Sequence, residues 1–297
     1  MSSVRGGAPP RRAAGRPPAR RPGRRVHPLV RIARAWPALL VVLGIAVALS
    51  WDTDRRDEPP VAGRCTVTDT AITLTTAQAA NAATIAAVAR VRGLSDRATV
   101  IALATALQES RLRNLDYGDR DSLGLFQQRP SQGWGSPEQV QDPVYSAGKF
   151  FDGLVEVRGW ETGRLTEVAQ SVQRSGFPEA YQQHEPVAQA VTDALLSDVP
   201  GRLSCTYSPP DATGPVDDRA AAVATVAGRE LGLITTPLPE GVVRLDGGGW
   251  AAAKWAVAHA ERLQLAEVRL AGWAWTPGDG WAESAAAGPQ LTVTLAT

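Results

Sequence analysis

Apolar residues recur at helical spacing through the middle of the chain. A capping-box pattern, Thr75 followed three residues later by Gln78, predicts a helix that ends at Gly93. Ser95 is the expected N-cap of the next helix. The apolar positions that should turn this second helix toward a core are Val100, Leu103 and Leu107.

A second face of the same helix carries small side chains and ends in a carboxyl group. Ala102, Thr105 and Ala106 share this face with Glu109. Because small side chains leave space above the helix, we expect room for a ligand there. The following segment, residues 114–138, is rich in Gly, Asp, Ser, Pro and Gln, which predicts a loop region or a small β element.

Helical patterns resume after this segment. Asp142 and Pro143 form a cap and a first turn, and the next helix should end near Gly159. Further helical pieces are predicted over residues 166–175, 178–184 and 186–196, because Pro186 would interrupt one continuous helix. The region from residue 72 to 205 is therefore predicted to be mainly α.

The pattern changes after residues 206–218, a Ser-, Pro-, Gly- and Asp-bearing segment that predicts an interdomain linker. Beyond it, two helical and three strand-like segments predict a small C-terminal α/β or α+β domain over residues 219–297, whose function the sequence leaves unknown. The helical segments are residues 220–231 and 250–263, and the strand-like segments are residues 242–245, 268–275 and 291–295.

Charge is unevenly distributed along the chain. Residues 1–34 hold ten Arg and no acidic residue, which leaves 21 basic and 30 acidic residues afterwards, a net charge of −9. We expect residues 1–34 to be a disordered cytoplasmic tail and residues 35–51, which are largely apolar, to be a single transmembrane helix that acts as a signal anchor. Residues 52–71 would be a stalk. The alternative is a cleaved secretory signal, for which residues 46–48 offer a small-residue cleavage site.

Two motifs carry a family resemblance. The stretch ATALQES (residues 104–110) precedes GDRDSLGLFQQRPSQGWG (residues 118–135). In this order they resemble the lysozyme-like superfamily, in particular bacterial lytic transglycosylases and a group common in actinobacterial cell envelopes. The resemblance covers about residues 75–197. It implies a mainly α lysozyme-like domain that binds peptidoglycan glycan strands and needs no cofactor.

The resemblance also implies roles for individual residues. Glu109 matches the acid that protonates the glycosidic oxygen, and burial against apolar neighbours would raise its pKa. Gly124 and Gln127 match the turn that lines the substrate cleft, and Ser110 matches the serine after the acid. Trp134 follows in the same loop, where its ring could stack on a sugar face.

A second carboxylate would decide the reaction. An inverting muramidase needs a base across the cleft to activate water, whereas a lytic transglycosylase uses the muramyl 6-hydroxyl and forms a 1,6-anhydro product. Asp119 and Asp121 are the candidates, although their loop position is also typical of turn capping. We therefore expect a lytic transglycosylase that cleaves the β-1,4 bond between N-acetylmuramic acid (MurNAc) and N-acetylglucosamine (GlcNAc), with a muramidase as the alternative.

One segment departs from the family pattern. Transglycosylases carry a tyrosine that hydrogen-bonds to the acid, but the equivalent stretch here is VQRSG, with Gln173 in its place. Gln173 can still donate a hydrogen bond, and Tyr181 follows closely in sequence. A catalytically weak glycan-binding scaffold that presents the C-terminal domain to an envelope protein is the further alternative.

The two cysteines lie just outside the ends of the lysozyme-like region. Cys65 and Cys205 are predicted to form a disulfide, in keeping with an extracytoplasmic location of the folded domains, on the outer side of the cell membrane or secreted after signal cleavage. No His or Cys cluster has the spacing of a metal site. A nucleic-acid partner is not expected, because the basic tail runs directly into an apolar stretch. No folded nucleic-acid-binding domain is predicted before that stretch.

Overall fold

A computed structural model of the 297-residue chain describes residues 63–177, 179–208 and 212–297. The predicted tail (1–34), the predicted membrane span (35–51) and most of the predicted stalk lie outside the described residues. Contacts unite the described residues in one compact unit.

A small antiparallel sheet joins the chain near residue 65 to the chain near residue 205. Strand β1 (Arg64–Val67) lies between β2 (Thr73–Thr75) and β3 (Leu203–Thr206). Cys65 is directly opposite Cys205 in the β1–β3 register, and the two residues form a disulfide. The predicted disulfide is therefore confirmed, and it closes the chain around the helices that follow.

Six α-helices lie between β2 and β3, joined in part by short 3₁₀ turns. In chain order they are α1 (Thr76–Val91), α2 (Asp96–Ser110), α3 (Pro137–Val140), α4 (Pro143–Val155), α5 (Leu165–Gln173) and α6 (Glu185–Leu196). The capping box predicted for α1 is present, and Asp142 caps α4 by accepting from two backbone amides. Helix α2 packs against α1, α4, α5 and α6, so its central residues are buried.

The remaining elements form two helices and a six-stranded antiparallel sheet. They are α7 (Val216–Leu231), β4 (Ile234–Leu238), β5 (Val242–Asp246), α8 (Gly249–His259), β6 (Leu265–Leu270), β7 (Trp273–Thr276), β8 (Gly280–Glu283) and β9 (Leu291–Leu295). The strand order is β4-β5-β9-β6-β7-β8. The predicted strand 268–275 is two strands, because the chain reverses at Ala271 and Gly272, which both have positive φ.

These observations correct the predicted fold class. The expectation was a mainly α lysozyme-like domain with a small α/β or α+β domain, preceded by a transmembrane helix. The described residues instead form eight α-helices and two antiparallel sheets, of three and six strands. None of the helices in these residues combines the length and the apolar character that crossing a bilayer requires. The strands were underestimated because several are only three to five residues long, too short for a clear alternating pattern.

Elements from both sides of residues 206–218 share one core. Helix α1 packs against α7 and α8, and a buried polar network crosses this contact. Oε2 of Glu230 accepts from the Thr84 hydroxyl and from the Trp255 indole, both at 2.8 Å, while Oε1 accepts from Arg262 at 2.8 Å. Burial alone would raise the pKa of Glu230, but its hydrogen bonds and the charges of His259 and Arg262 lower it to about 2. The network therefore joins α7 and α8 to α1.

Candidate functional site

Glu109 lies in the last turn of α2 and is half-buried. The helix ends immediately afterwards, because Arg111 and Leu112 both take left-handed backbone conformations. The neighbouring Ser110 is buried, and its hydroxyl donates to the carbonyl of Leu125 at 2.7 Å. Ser110 thus connects the end of the helix that carries Glu109 to the Gly-Leu-Phe-Gln turn.

The protonation of Glu109 is set by burial and by two side chains. Burial raises the pKa of Glu109, and hydrogen bonds from Tyr181 and Gln173 partly oppose that rise. The hydroxyl of Tyr181 donates to Oε1 of Glu109 at 2.6 Å. Because Tyr181 is fully buried, this donor is held in place by its surroundings. Burial and the charge of Glu109 raise the pKa of Tyr181 in turn, so its proton stays on the phenol.

Gln173 occupies the end of α5 beside the same carboxyl group. Its side-chain amide donates to the carbonyl of Phe126 at 2.8 Å. The amide therefore connects α5 to the Gly-Leu-Phe-Gln turn while it lowers the pKa of Glu109. The phenol of Tyr181 is therefore the donor that the structure places directly on Glu109, and Gln173 lies beside it.

The Gly-Leu-Phe-Gln turn forms the small β element that the composition allowed. Isolated bridges pair Leu115 with Gly124 and Leu123 with Gln128. Gly124 has φ +78°, and a Cβ there would lie 2.2 Å from the carbonyl oxygen of Val140, so no larger residue fits. The Gln127 amide donates to the carbonyls of Tyr117 and Gly124 at 3.2 and 3.3 Å, which holds this side chain against its own loop.

A cleft of about 330 Å³ opens above these residues. It brings together five of the residues that the sequence singled out, namely Glu109, Asp119, Gln127, Trp134 and Gln173. Ser110, Gly124 and Tyr181 do not line it but support residues that do. The cleft is also lined by Ser122, Gln128, Arg129, Gln132, Arg174, Ser175, Gly176 and Phe177.

The two candidate second carboxylates differ in their surroundings. Asp121 accepts from Arg129 at 3.0 Å and from the amide and hydroxyl of Ser131 at 2.8 and 3.0 Å. These bonds hold the pKa of Asp121 well below its usual range, and they occupy its carboxylate oxygens within the loop. Asp119 lines the cleft, but its side chain is 90% exposed. Water therefore surrounds Asp119, whereas Glu109 is shielded.

The segment Arg174 to Phe177 lines the cleft after α5; the sequence marked its first three residues only as part of the VQRSG stretch and gave none of the four a role. A signal was present, because Phe177 is an aromatic residue in a polar stretch just after a predicted helix end. In the structure its side chain is 77% exposed at the cleft.

The described residues contain no group of three or more His, Cys, Asp or Glu side chains arranged to hold a metal ion. No known family model matches this chain, and no curated protein matches it.

Proposed function

We propose that this chain is a peptidoglycan-cleaving enzyme that acts on the β-1,4 bond between MurNAc and GlcNAc as a lytic transglycosylase. The observation that carries the proposal is Glu109, a half-buried carboxyl group in a polar cleft whose pKa is raised by burial. A general acid needs a pKa near the pH at which it works, and a raised carboxyl pKa moves in that direction.

The reaction uses one carboxyl group twice. Glu109 donates its proton to the glycosidic oxygen as the bond to C1 of MurNAc breaks, and positive charge develops on that sugar. The resulting carboxylate then accepts the proton of the MurNAc 6-hydroxyl while O6 forms a bond to C1. The products are a 1,6-anhydro end and a free 4-hydroxyl on GlcNAc, and Glu109 regains its proton.

Tyr181 supports this cycle by holding the carboxyl group of Glu109. The short hydrogen bond from the Tyr181 hydroxyl to Oε1 orients Glu109 and stabilises the carboxylate that forms when the proton leaves. Gln173 stands where the resembling family has its tyrosine, and Tyr181 supplies the phenol from a different position. This arrangement supports an active site over a glycan-binding scaffold, because an acid catalyst needs a donor that stabilises the carboxylate left after proton transfer.

The surroundings of the other carboxylates favour a transglycosylase over a muramidase. A hydrolase needs a base that activates water across the cleft. Asp121 is committed to Arg129 and Ser131, and Asp119 is exposed. The disulfide between Cys65 and Cys205 is consistent with work outside the cytoplasm, where peptidoglycan lies.

Product analysis tests the proposal and separates its alternatives. Purified peptidoglycan is digested with the protein, and the released muropeptides are measured by mass spectrometry. We expect 1,6-anhydro ends; reducing MurNAc ends would assign a muramidase and point to Asp119 as the base, which Asp119→Asn would then abolish. Release of no product, together with retained binding to insoluble peptidoglycan, would favour the scaffold and contradict an enzyme.

A further inference from the structure

A second cavity, of about 760 Å³, adjoins the cleft that contains Glu109. The two share four lining residues, Gln132, Trp134, Gln173 and Arg174. The far wall of the second cavity comes from the end of α4 and from α5. A substrate bound at Glu109 can therefore extend into this cavity without leaving the protein surface.

The charges along the second cavity lie at different walls. Arg174 stands where the two cavities meet, and Glu156 lies at the end of α4; these are the charged residues among those that line it. No carboxylate of residues 63–177, 179–208 and 212–297 lies within ion-pairing distance of the Arg174 guanidinium. The neighbouring Arg129, by contrast, is paired with Asp121. Arg174 is therefore available to an anionic group of a ligand.

The segment that carries Arg174 is held in place. Arg174 takes a left-handed conformation at the end of α5, with φ 52°, where glycine or asparagine is usual. The residue before it is anchored through the Gln173 amide to Phe126. The residue after it, Ser175, is bonded through its carbonyl to the Gln170 amide at 2.9 Å. The guanidinium thus extends from a fixed backbone position between the two cavities.

We propose that the second cavity binds the peptide stem of the substrate, with Arg174 on a stem carboxylate and Glu156 near a stem amino group. This inference rests on the proposed function. The stem is attached through the lactyl group at O3 of MurNAc, the same sugar whose C1 is attacked, so it leaves the glycan beside the scissile bond. It carries free carboxylates and, at its diamino acid, an amino group. A cavity that adjoins Glu109 and carries one charge of each sign fits this branch.

The consequence is a substrate preference. Glycan strands that still carry peptide stems would gain a charge-assisted contact at Arg174 that stripped strands lack. The cavity lies beside the cleft and not within it, so the stem acts through binding and orientation rather than through chemistry. Arg174 is then a specificity-determining residue of the proposed reaction.

Direct binding is the first test, because it does not depend on catalysis. A synthetic stem tetrapeptide with free carboxylates and a free diamino-acid amine is titrated into the folded protein, with the fluorescence of Trp134 and the other tryptophans as the signal. We expect Arg174→Gln to weaken binding roughly two- to fivefold, because Arg174 is exposed and water screens its charge. Arg158→Gln, an exposed arginine outside both cavities, should leave binding unchanged. A wild-type protein that does not bind the peptide, or equal binding by both variants, would overturn the inference.

Cleavage provides the second test and separates this inference from the proposed function. The measured quantity is the ratio of kcat/KM for peptide-bearing strands to kcat/KM for strands whose peptides an amidase has removed. We expect this ratio to exceed one in the wild type and to fall towards one in Arg174→Gln. A ratio of one in the wild type, with products from both substrates, refutes the stem site and leaves the enzyme standing. No product from either substrate refutes the proposed function, and the peptide titration then decides the stem site alone.

Discussion

Replacing Tyr181 by phenylalanine removes one hydroxyl from a fully buried ring and leaves its packing in place. The hydroxyl donates to Oε1 of Glu109 at 2.6 Å. A hydrogen bond to a charged acceptor contributes about 1.5–3 kcal/mol, and one to a neutral acceptor about 0.5–1.5 kcal/mol. Loss of the Tyr181 hydroxyl therefore costs the carboxylate form of Glu109 about 1–1.5 kcal/mol more than it costs the protonated form.

This difference sets the direction and the size of the shift in the pKa of Glu109. A loss of about 1.4 kcal/mol of carboxylate stabilisation raises the pKa of Glu109 by about one unit. Because the acid must be protonated to work, activity falls as pH rises through that pKa. In Tyr181→Phe the alkaline limb of the pH profile of kcat/KM should therefore move upward by about one pH unit, while the maximal rate falls because the carboxylate formed during the reaction is less stable.

The assay is the release of soluble muropeptides from purified peptidoglycan between about pH 4 and 9. Tyr117→Phe is the matched control, since the Tyr117 side chain is 63% exposed and its contact with Gln127 uses only the backbone carbonyl. An alkaline limb that stays in place or moves downward in Tyr181→Phe would refute the reasoning, as would an equal shift in the control.

The remaining predictions concern stability. Gly124→Ala should lower the free energy of unfolding by about 3 kcal/mol, because it adds backbone strain and a clash with the Val140 carbonyl. Gly133 also has positive φ but has open space around it, so Gly133→Ala should cost only about 1 kcal/mol. Urea denaturation measures both free energies of unfolding. The pKa of Glu230 is lowered from 4.5 to about 2, so its stabilisation of about 3 kcal/mol is complete above pH 4.5 and is lost as pH falls towards 2. Glu230→Gln should flatten that part of the stability curve; an unchanged curve would remove Glu230 from the account. Reducing the disulfide, which spans 140 residues, should cost about 5 kcal/mol in the same assay, and an unchanged midpoint would show that the disulfide does not stabilise the fold.

Local signals predicted the parts of the fold that depend on neighbouring residues. The capping box at Thr75 begins α1, Asp142 caps α4, and the Gly124 turn forms where the composition indicated. In each case the interaction that decides the structure joins residues a few positions apart. Such interactions can be recognised in a sequence because the residues that make them have fixed spacing.

Long-range contacts were not predictable in the same way. Strand β1 lies within the predicted stalk (residues 52–71), and no local pattern marks it, because it is four residues long and its partner β3 lies 140 residues away. Strand β9 pairs between β5 and β6, an order that no local pattern specifies. The Tyr181 bond to Glu109 joins residues 72 positions apart, so the sequence could place Tyr181 only near Gln173 and could not give its partner.

The central claim is that Glu109 is the acid that cleaves the glycan, and Glu109→Gln tests it most directly. The glutamine keeps the size of the side chain and an oxygen that accepts from Tyr181, and because the pKa of Glu109 is raised, folding at neutral pH should be at least as stable. We predict that muropeptide release from purified peptidoglycan falls by about 10²-fold or more, while Glu161→Gln, an exposed residue outside both cavities, keeps the wild-type rate. Release by Glu109→Gln at the wild-type rate would contradict the account.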